Sequence, residues 1–168
     1  MVTASSGHNI QFEEPALVIN AIQQVIASAT TMARQRAHTA TLDSLMKTMD
    51  EAIALMAAQR TSDASTQVAA ALKASGFGEE DINRIGYAVL RERQHPAAAA
   101  LVMQYNAQAF PKSANARDSY GEILLELKQP AAAQAQFQQA ITLGVETSMD
   151  PKAIEGYRAN LGQAQKAR

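Results

Sequence analysis

The stretch from Glu79 to Leu143 repeats itself, and this repeat constrains the fold more than any other feature of the chain. Ile85-Gly86 aligns with Tyr120-Gly121, at an offset of 121 − 86 = 35 residues. A second segment also matches: Pro96, Ala99, Met103 and Asn106 align with Pro130, Ala133, Phe137 and Ala140, at an offset of 130 − 96 = 34 residues. The two offsets agree if the first copy carries one extra residue in its turn, around Gln94-His95.

The residue types at these positions predict two helix–turn–helix units. Glycine and alanine let two antiparallel helices approach closely, and a large side chain then fills the groove between them. Gly86 and Gly121 hold the small positions, and Met103 and Phe137 hold the large ones. We expect helices at about 79–93, 96–109, 114–128 and 130–143, with Ser113 capping the third and Gly144 ending the fourth.

This pattern resembles the tetratricopeptide repeat, whose period is about 34 residues. The second copy supplies Tyr120, Gly121, Leu124, Ala133, Phe137 and Ala140, and the first supplies Ile85, Gly86, Val89, Ala99, Met103 and Pro111. The resemblance implies an all-α fold in which helical hairpins stack as a short array. The concave face of such an array would be lined by the first helix of each unit. The candidate binding residues there are Asn83, Tyr87, Arg117 and Tyr120, although Tyr120 fits the core equally well.

Two apolar seams precede the repeats. The first seam has spacings of 4, 3, 4 and 3 residues and consists of Val18, Ile22, Val25, Ala29 and Met32. The second has spacings of 3, 4, 3 and 4 residues and consists of Leu42, Leu45, Met49, Ala52 and Met56. This spacing predicts one helix over about 15–35 and another from about Thr41, capped by that threonine and folded back as an antiparallel hairpin. Because a free-standing array usually needs three units, these helices should cap or extend the repeats.

Signals for the remaining elements are local. A short helix over about 63–74 ends at Gly76, and a last helix begins at Pro151 with Asp150 as its N-cap and closes the array. We place the domain boundary at Gly76–Gly78. It separates an N-terminal helical region, residues 1–76, from the repeats with their capping helix, residues 77–168.

Composition and charge argue against several classes of function. The net charge of −1 provides no basic surface for nucleic acid. The chain has no cysteine, and its three histidines (His8, His38 and His95) lack the spacing of a helical metal site, so we predict no metal and no cofactor. The sequence has no unbroken apolar run of about 20 residues and no signal-peptide pattern, so we expect no membrane span and assign no compartment.

One short segment carries residues associated with catalysis. Gly7-His8 is followed by Glu14-Pro15 and then by the apolar run from Val18 to Ile22. This order resembles the C-terminal end of an α/β-hydrolase, where the catalytic histidine precedes a helix that packs on the sheet. The resemblance implies that His8 is the proton-shuttling base and that the chain is the last part of a hydrolase with a helical-repeat tail. The Gly-x-Ser-x-Gly nucleophile elbow of that family is absent.

Two functions follow from these patterns. The favoured one is a non-catalytic helical-repeat module that binds a protein or peptide or associates with itself, with a homodimer through the first two helices as its expected form. The alternative is a carboxylesterase-type hydrolase that uses His8, alone or in an oligomer.

The two functions differ in the role of His8 in ester hydrolysis. We expect the wild-type chain and His8→Ala to release p-nitrophenolate from a p-nitrophenyl ester at the same background rate. The reason is that a base without a positioned nucleophile and oxyanion donors contributes little catalysis. A loss of about tenfold or more in the variant would favour the hydrolase instead.

Overall fold

The computed structural model describes residues 15–167, which form seven α-helices and no strand. The helices are α1 (Pro15–Ala57), α2 (Thr61–Ser75), α3 (Glu79–Glu92), α4 (Pro96–Ala109), α5 (Ala114–Glu126), α6 (Pro130–Glu146) and α7 (Pro151–Lys166). They belong to two compact units, residues 15–43 and residues 44–167. The predicted all-α class is confirmed, and the boundary predicted at Gly76–Gly78 lies inside the second unit.

The helices of the second unit pack as a two-layer stack. From α3 onward, each helix packs against the helix that follows it in the chain. In addition, α3 contacts α5 and α5 contacts α7 in one layer, while α2 contacts α4 in the other. The stacked array of helices that the repeat predicts is therefore present.

The contact between paired helices depends on a glycine that faces a large side chain. A Cβ atom built on Gly121 would lie 2.5 Å from Cε1 of Phe137, and one built on Gly86 would lie 2.5 Å from Cε of Met103. Met103 and Phe137 are both fully buried. Real Cβ atoms do not approach so closely, so a larger residue at either position would require the facing side chain to move. The predicted equivalence of the two pairs is confirmed.

The extra residue of the first copy lies in α3 rather than in the turn, where it was predicted. The turns at 93–95 and 127–129 are equally long, and each contains a residue with positive φ: 50° at Gln94 and 58° at Lys128. By contrast, α3 has 14 residues and α5 has 13. A helix end can lengthen by one residue at little cost, whereas a tight turn around a left-handed residue cannot.

A third turn of the same kind connects α1 to α2. Gln59 has a φ of 60° and lies 94 − 59 = 35 residues before Gln94. The N–H groups of residues 59 and 60 donate to the carbonyls of residues 56 and 55, and those of residues 128 and 129 donate to residues 125 and 124 in the same way. Both turns therefore have the hydrogen bonds of a Schellman motif, which satisfies the last carbonyls of the helix.

The helices joined by this turn also contact each other, because Gln67 Nε2 of α2 donates to Glu51 Oε2 of α1 at 2.7 Å, and the sequence pattern did not reveal this contact. An offset of 121 − 52 = 69 residues places Ala52 at the position of Gly121 and Val68 at the position of Phe137. Ala52 and Val68 are both fully buried. Both positions therefore lie in the core of the second unit, as Gly121 and Phe137 do.

The hairpin predicted between two N-terminal helices is wrong, because α1 continues without interruption from Pro15 to Ala57. The segment expected to turn contains neither glycine nor proline, and its arginine and alanines favour helix. Thr41, predicted as an N-cap, instead donates from Oγ1 to the carbonyl of Ala37 at 3.0 Å, and Thr39 donates to that of Gln35 at 3.0 Å. These bonds accommodate the hydroxyls inside a helix, so no turn is required.

Most of the predicted helix ends are confirmed. Ser113 Oγ accepts from the N–H of Ala116 at 3.0 Å, Asp150 Oδ1 accepts from that of Lys152 at 2.8 Å, and Gly76 has a φ of 67°.

Gly144 is the exception among the helix ends, because α6 continues through it to Glu146. A Cβ atom there would lie 3.1 Å from Cγ1 of Ile154, so this glycine allows α7 to pack closely against α6. The left-handed position after α6 is taken by Ser148, with a φ of 54°.

The first unit, by itself, is a helical segment whose apolar side chains are exposed. Ile22 is 54% exposed, Met32 59% and Val25 68%. The most apolar 18-residue window of α1 has a mean hydropathy of 1.3, which suffices by length and composition for a helix that crosses a membrane. A core helix of a soluble protein meets the same criterion. The absence of a membrane span therefore stays a prediction.

The glycine contacts predict unequal effects of alanine substitution. Gly121→Ala should lower the free energy of unfolding by about 1–3 kcal/mol, because the buried ring of Phe137 leaves no room for a methyl group. Gly86→Ala should cost about 1 kcal/mol or less, since the flexible thioether of Met103 can move aside. Gly156→Ala is the control and should stabilise α7 by about 0.5–1 kcal/mol, because no atom lies within 4 Å of the new methyl group. Urea unfolding measures all three, and equal losses at Gly121 and Gly156 would contradict the packing account.

Candidate functional site

A groove of about 470 Å³ runs along the layer that contains α3, α5 and α7. Its walls are Tyr87, Leu90 and Arg91 from α3, Glu122, Ile123, Leu125 and Glu126 from α5, Lys128 from the following turn, and Asn160 and Gln163 from α7. Because α3 and α5 are the first helices of the two sequence repeats, this is the layer in which the sequence places the binding face.

A short hydrogen bond connects α3 to α5 within the groove. Tyr87 Oη donates to Glu122 Oε2 at 2.5 Å. Each residue directly follows the glycine of its unit, so stacking the repeats brings the two together. Burial, followed by the bond to Glu122, raises the pKa of Tyr87 to about 12, so its hydroxyl stays protonated and donates at neutral pH. The guanidinium of Arg91 lies 5.2 Å from the centroid of the Tyr87 ring, within cation–π range.

A single amide connects α7 to two carboxylates of α5. Asn160 Nδ2 donates to Asp118 at 3.0 Å and 3.3 Å and to Glu122 Oε1 at 3.4 Å. Burial raises the pKa of Asp118 to about 6, the bond from Asn160 opposes this shift, and the charge of Glu122 adds to it. Glu122 lines the groove, and Asp118 lies beside it through their shared amide donor, so the two carboxyl groups offer hydrogen-bond acceptors to a cationic group.

The four candidate binding residues have different environments. Tyr87 lines the groove. Asn83 is half-buried one turn earlier on α3, and its Oδ1 is buried and accepts no hydrogen bond from the described residues. Arg117 points to α6, where its Nη1 donates to Gln136 Oε1 at 3.3 Å. Tyr120 packs on the buried cluster that contains Phe137, which is the core role left open for it.

Asp118, Glu122 and Asn160 were not predicted from the sequence. A signal existed for Glu122, since it follows Gly121 as Tyr87 follows Gly86. No signal existed for the other two, because their contact joins residues 160 − 118 = 42 positions apart and depends on how α7 stacks on α5.

The predictions about metal binding and about the hydrolase-like segment concern different parts of the chain. Within residues 15–167, no group of three or more histidine, aspartate or glutamate side chains is placed to hold a metal ion. His8 lies outside the described residues, so its catalytic role stays a prediction. No protein-family model matches the chain, and no curated protein matches it. The features of the described residues that bear on function are therefore the groove and the exposed face of α1.

The raised pKa of Asp118 predicts a pH-dependent effect of its removal. A carboxyl whose pKa is higher in the folded than in the unfolded chain favours folding at low pH, and this contribution is lost as the pH rises from about 4 to about 6. Asp118→Asn removes the charge and keeps an acceptor for Asn160. Above pH 7 it should raise the free energy of unfolding by about 1–2 kcal/mol, after allowance for solvent screening, and near pH 4 it should change little.

Thermal unfolding across this pH range provides the measurement. Glu126→Gln is a matched control, because Glu126 is an exposed residue on the same helix and should show no such pH dependence. A stability gain in Asp118→Asn that is the same at pH 4 and pH 7 would contradict the buried-charge interpretation.

Proposed function

We propose that residues 79–166 form a non-catalytic helical-repeat module that binds an extended polypeptide segment in the groove of α3, α5 and α7. The observation that carries this proposal is the row of polar side chains across three successive first-layer helices, Tyr87, Glu122 and Asn160. Such a row offers repeated hydrogen-bonding positions along a groove, which suits a chain-like ligand. The resemblance to tetratricopeptide repeats points to the same function.

The charges in the groove favour a partner with a basic side chain. Neither Asp118 nor Glu122 takes part in an ion pair within residues 15–167, where the ion pairs involve other carboxylates. Each carboxylate has about four acceptor positions, and the tyrosine and the amide occupy only part of them. A lysine or arginine of the partner would supply the missing donors and the opposite charge.

The walls of the groove define what should flank that basic side chain. Leu90 and Leu125 are half-buried and offer apolar contact within the groove. Arg91 and Lys128 contribute positive charge to the lining and favour carbonyl or carboxylate groups of the partner. The best ligand is therefore a segment in which one lysine or arginine stands between apolar residues.

The lining residues favour binding over catalysis. They include no serine, cysteine or histidine, so the groove contains no hydroxyl or thiol nucleophile paired with a histidine base. The two carboxylates share one amide donor and lie one turn apart on a single helix. This arrangement can hold a cationic group without any covalent step.

Selection from a displayed peptide library tests the proposal. The wild-type chain should enrich peptides with a lysine or arginine flanked by apolar residues. In the Asp118→Asn/Glu122→Gln variant, the selected peptides should bind at least about tenfold more weakly, because each lost charge-assisted bond is worth about 1.5–3 kcal/mol.

Glu146→Gln/Glu155→Gln is the matched control, since it removes the same charge from exposed positions outside the groove. It should bind the selected peptides as the wild type does. No enrichment by the wild-type chain, or an equal loss in both double variants, would overturn the proposal.

A further inference from the structure

The apolar seam of the first unit occupies one side of its helix. At 100° per residue, Val18, Ile22, Val25, Ala29 and Met32 share a face with Ile19 and Ile26. The opposite side carries Asn20, Gln23, Gln24, Thr30 and Thr31, and the last two donate to helix carbonyls at 2.8 Å and 2.9 Å. The segment is therefore amphipathic, although the large side chains on its apolar face are more than half exposed: Ile19, Ile22, Val25, Ile26 and Met32.

We infer that this face pairs with the same face of a second copy of the chain. The seam steps alternately by four and three residues, which is the average period of 3.5 that keeps two helices in contact along their length. This inference rests on α1 alone and does not depend on the groove of the second unit.

The charge distribution makes the face compatible with itself. No charged residue lies between Ala16 and Ala33, so two identical faces can meet without opposing like charges. An isologous interface requires this property, because each patch meets its own copy. Asn20, Gln23 and Gln24, on the other side of the helix, can stay hydrated in such a pair.

The area of the face suits a weak, reversible dimer. At roughly 30 Å² per methylene group, the exposed parts of the five large side chains amount to about 330 Å² per copy. Fully buried in a symmetric pair, they would contribute about 660 Å² in total, to which the alanines between them add, and this lies in the range of weak and transient interfaces.

A membrane fits the segment less well than a second copy does. A helix that spans the bilayer would bring Asn20, Gln23 and Gln24 into hydrocarbon, where unpaired amides are costly. A helix that lies on an anionic surface usually has a polar face rich in lysine and arginine, whereas residues 16–33 have neither.

Sedimentation velocity on the full chain, over about 1–100 μM, tests the inference. The wild type should sediment at a mass of 2 × 18.0 kDa at the upper concentrations. Ile22→Glu/Val25→Glu and Ile22→Lys/Val25→Lys should each be monomeric, because like charges then meet across the interface. An equimolar mixture of the two should recover the dimer. Gln23→Glu/Gln24→Glu places the same charge on the opposite face and should remain dimeric.

Circular dichroism of each variant should show that the helices are retained, because the substituted positions are exposed. Three results would overturn the inference. One is a wild-type chain that stays monomeric at the highest concentration. Another is a mixture of the two charged variants that stays monomeric. The last is a wild-type chain that is monomeric in buffer but floats with neutral phosphatidylcholine vesicles, which would assign the face to a lipid surface.

Discussion

The second unit depends on how closely paired helices can approach. At Gly121 the backbone of α5 lies against the ring of Phe137, and at Gly86 that of α3 lies against the thioether of Met103. These contacts let the two helices of each pair approach closely and leave little space between them. Ala52 of α1 and Val68 of α2 are buried at the corresponding positions.

Close stacking also generates the groove. The residue after each glycine turns away from the partner helix, so Tyr87 and Glu122 meet although they are 122 − 87 = 35 positions apart. The same stacking places Asn160 of α7 against the carboxylates of α5. Stacking of the helices therefore arranges Tyr87, Glu122 and Asn160, which are distant in sequence, as a row of polar groups. Tyr87, Glu122 and Asn160 are each half-buried, so the row is partly removed from water, which strengthens its hydrogen bonds to an incoming group.

The features that could be predicted from the sequence are helix ends, which depend on neighbouring residues, and contacts that recur in both repeats. Ser113, Asp150 and Gly76 act at helix ends through their own side chains or backbone, and the glycine pairs recur at a fixed offset. The relation of α1 and α2 to the repeats was not predicted from the sequence. Alanine and valine form no recognisable pattern at positions where the repeat has glycine and phenylalanine. The contact between Asp118 and Asn160 was not predicted either, because it forms only when helices distant in sequence are stacked.

The two parts of α1 show why an apolar pattern alone does not decide what a helix does. Leu45 and Met49 belong to a seam with steps of three and four residues and are buried within the second unit. Ile22 and Val25 belong to a seam of the same period, yet both are more than half exposed. Periodicity reports that a helix has one apolar side, whereas the partner that covers this side is determined by the rest of the fold. An exposed seam without charge leaves its partner open, and an identical seam is compatible with it because no like charges would meet.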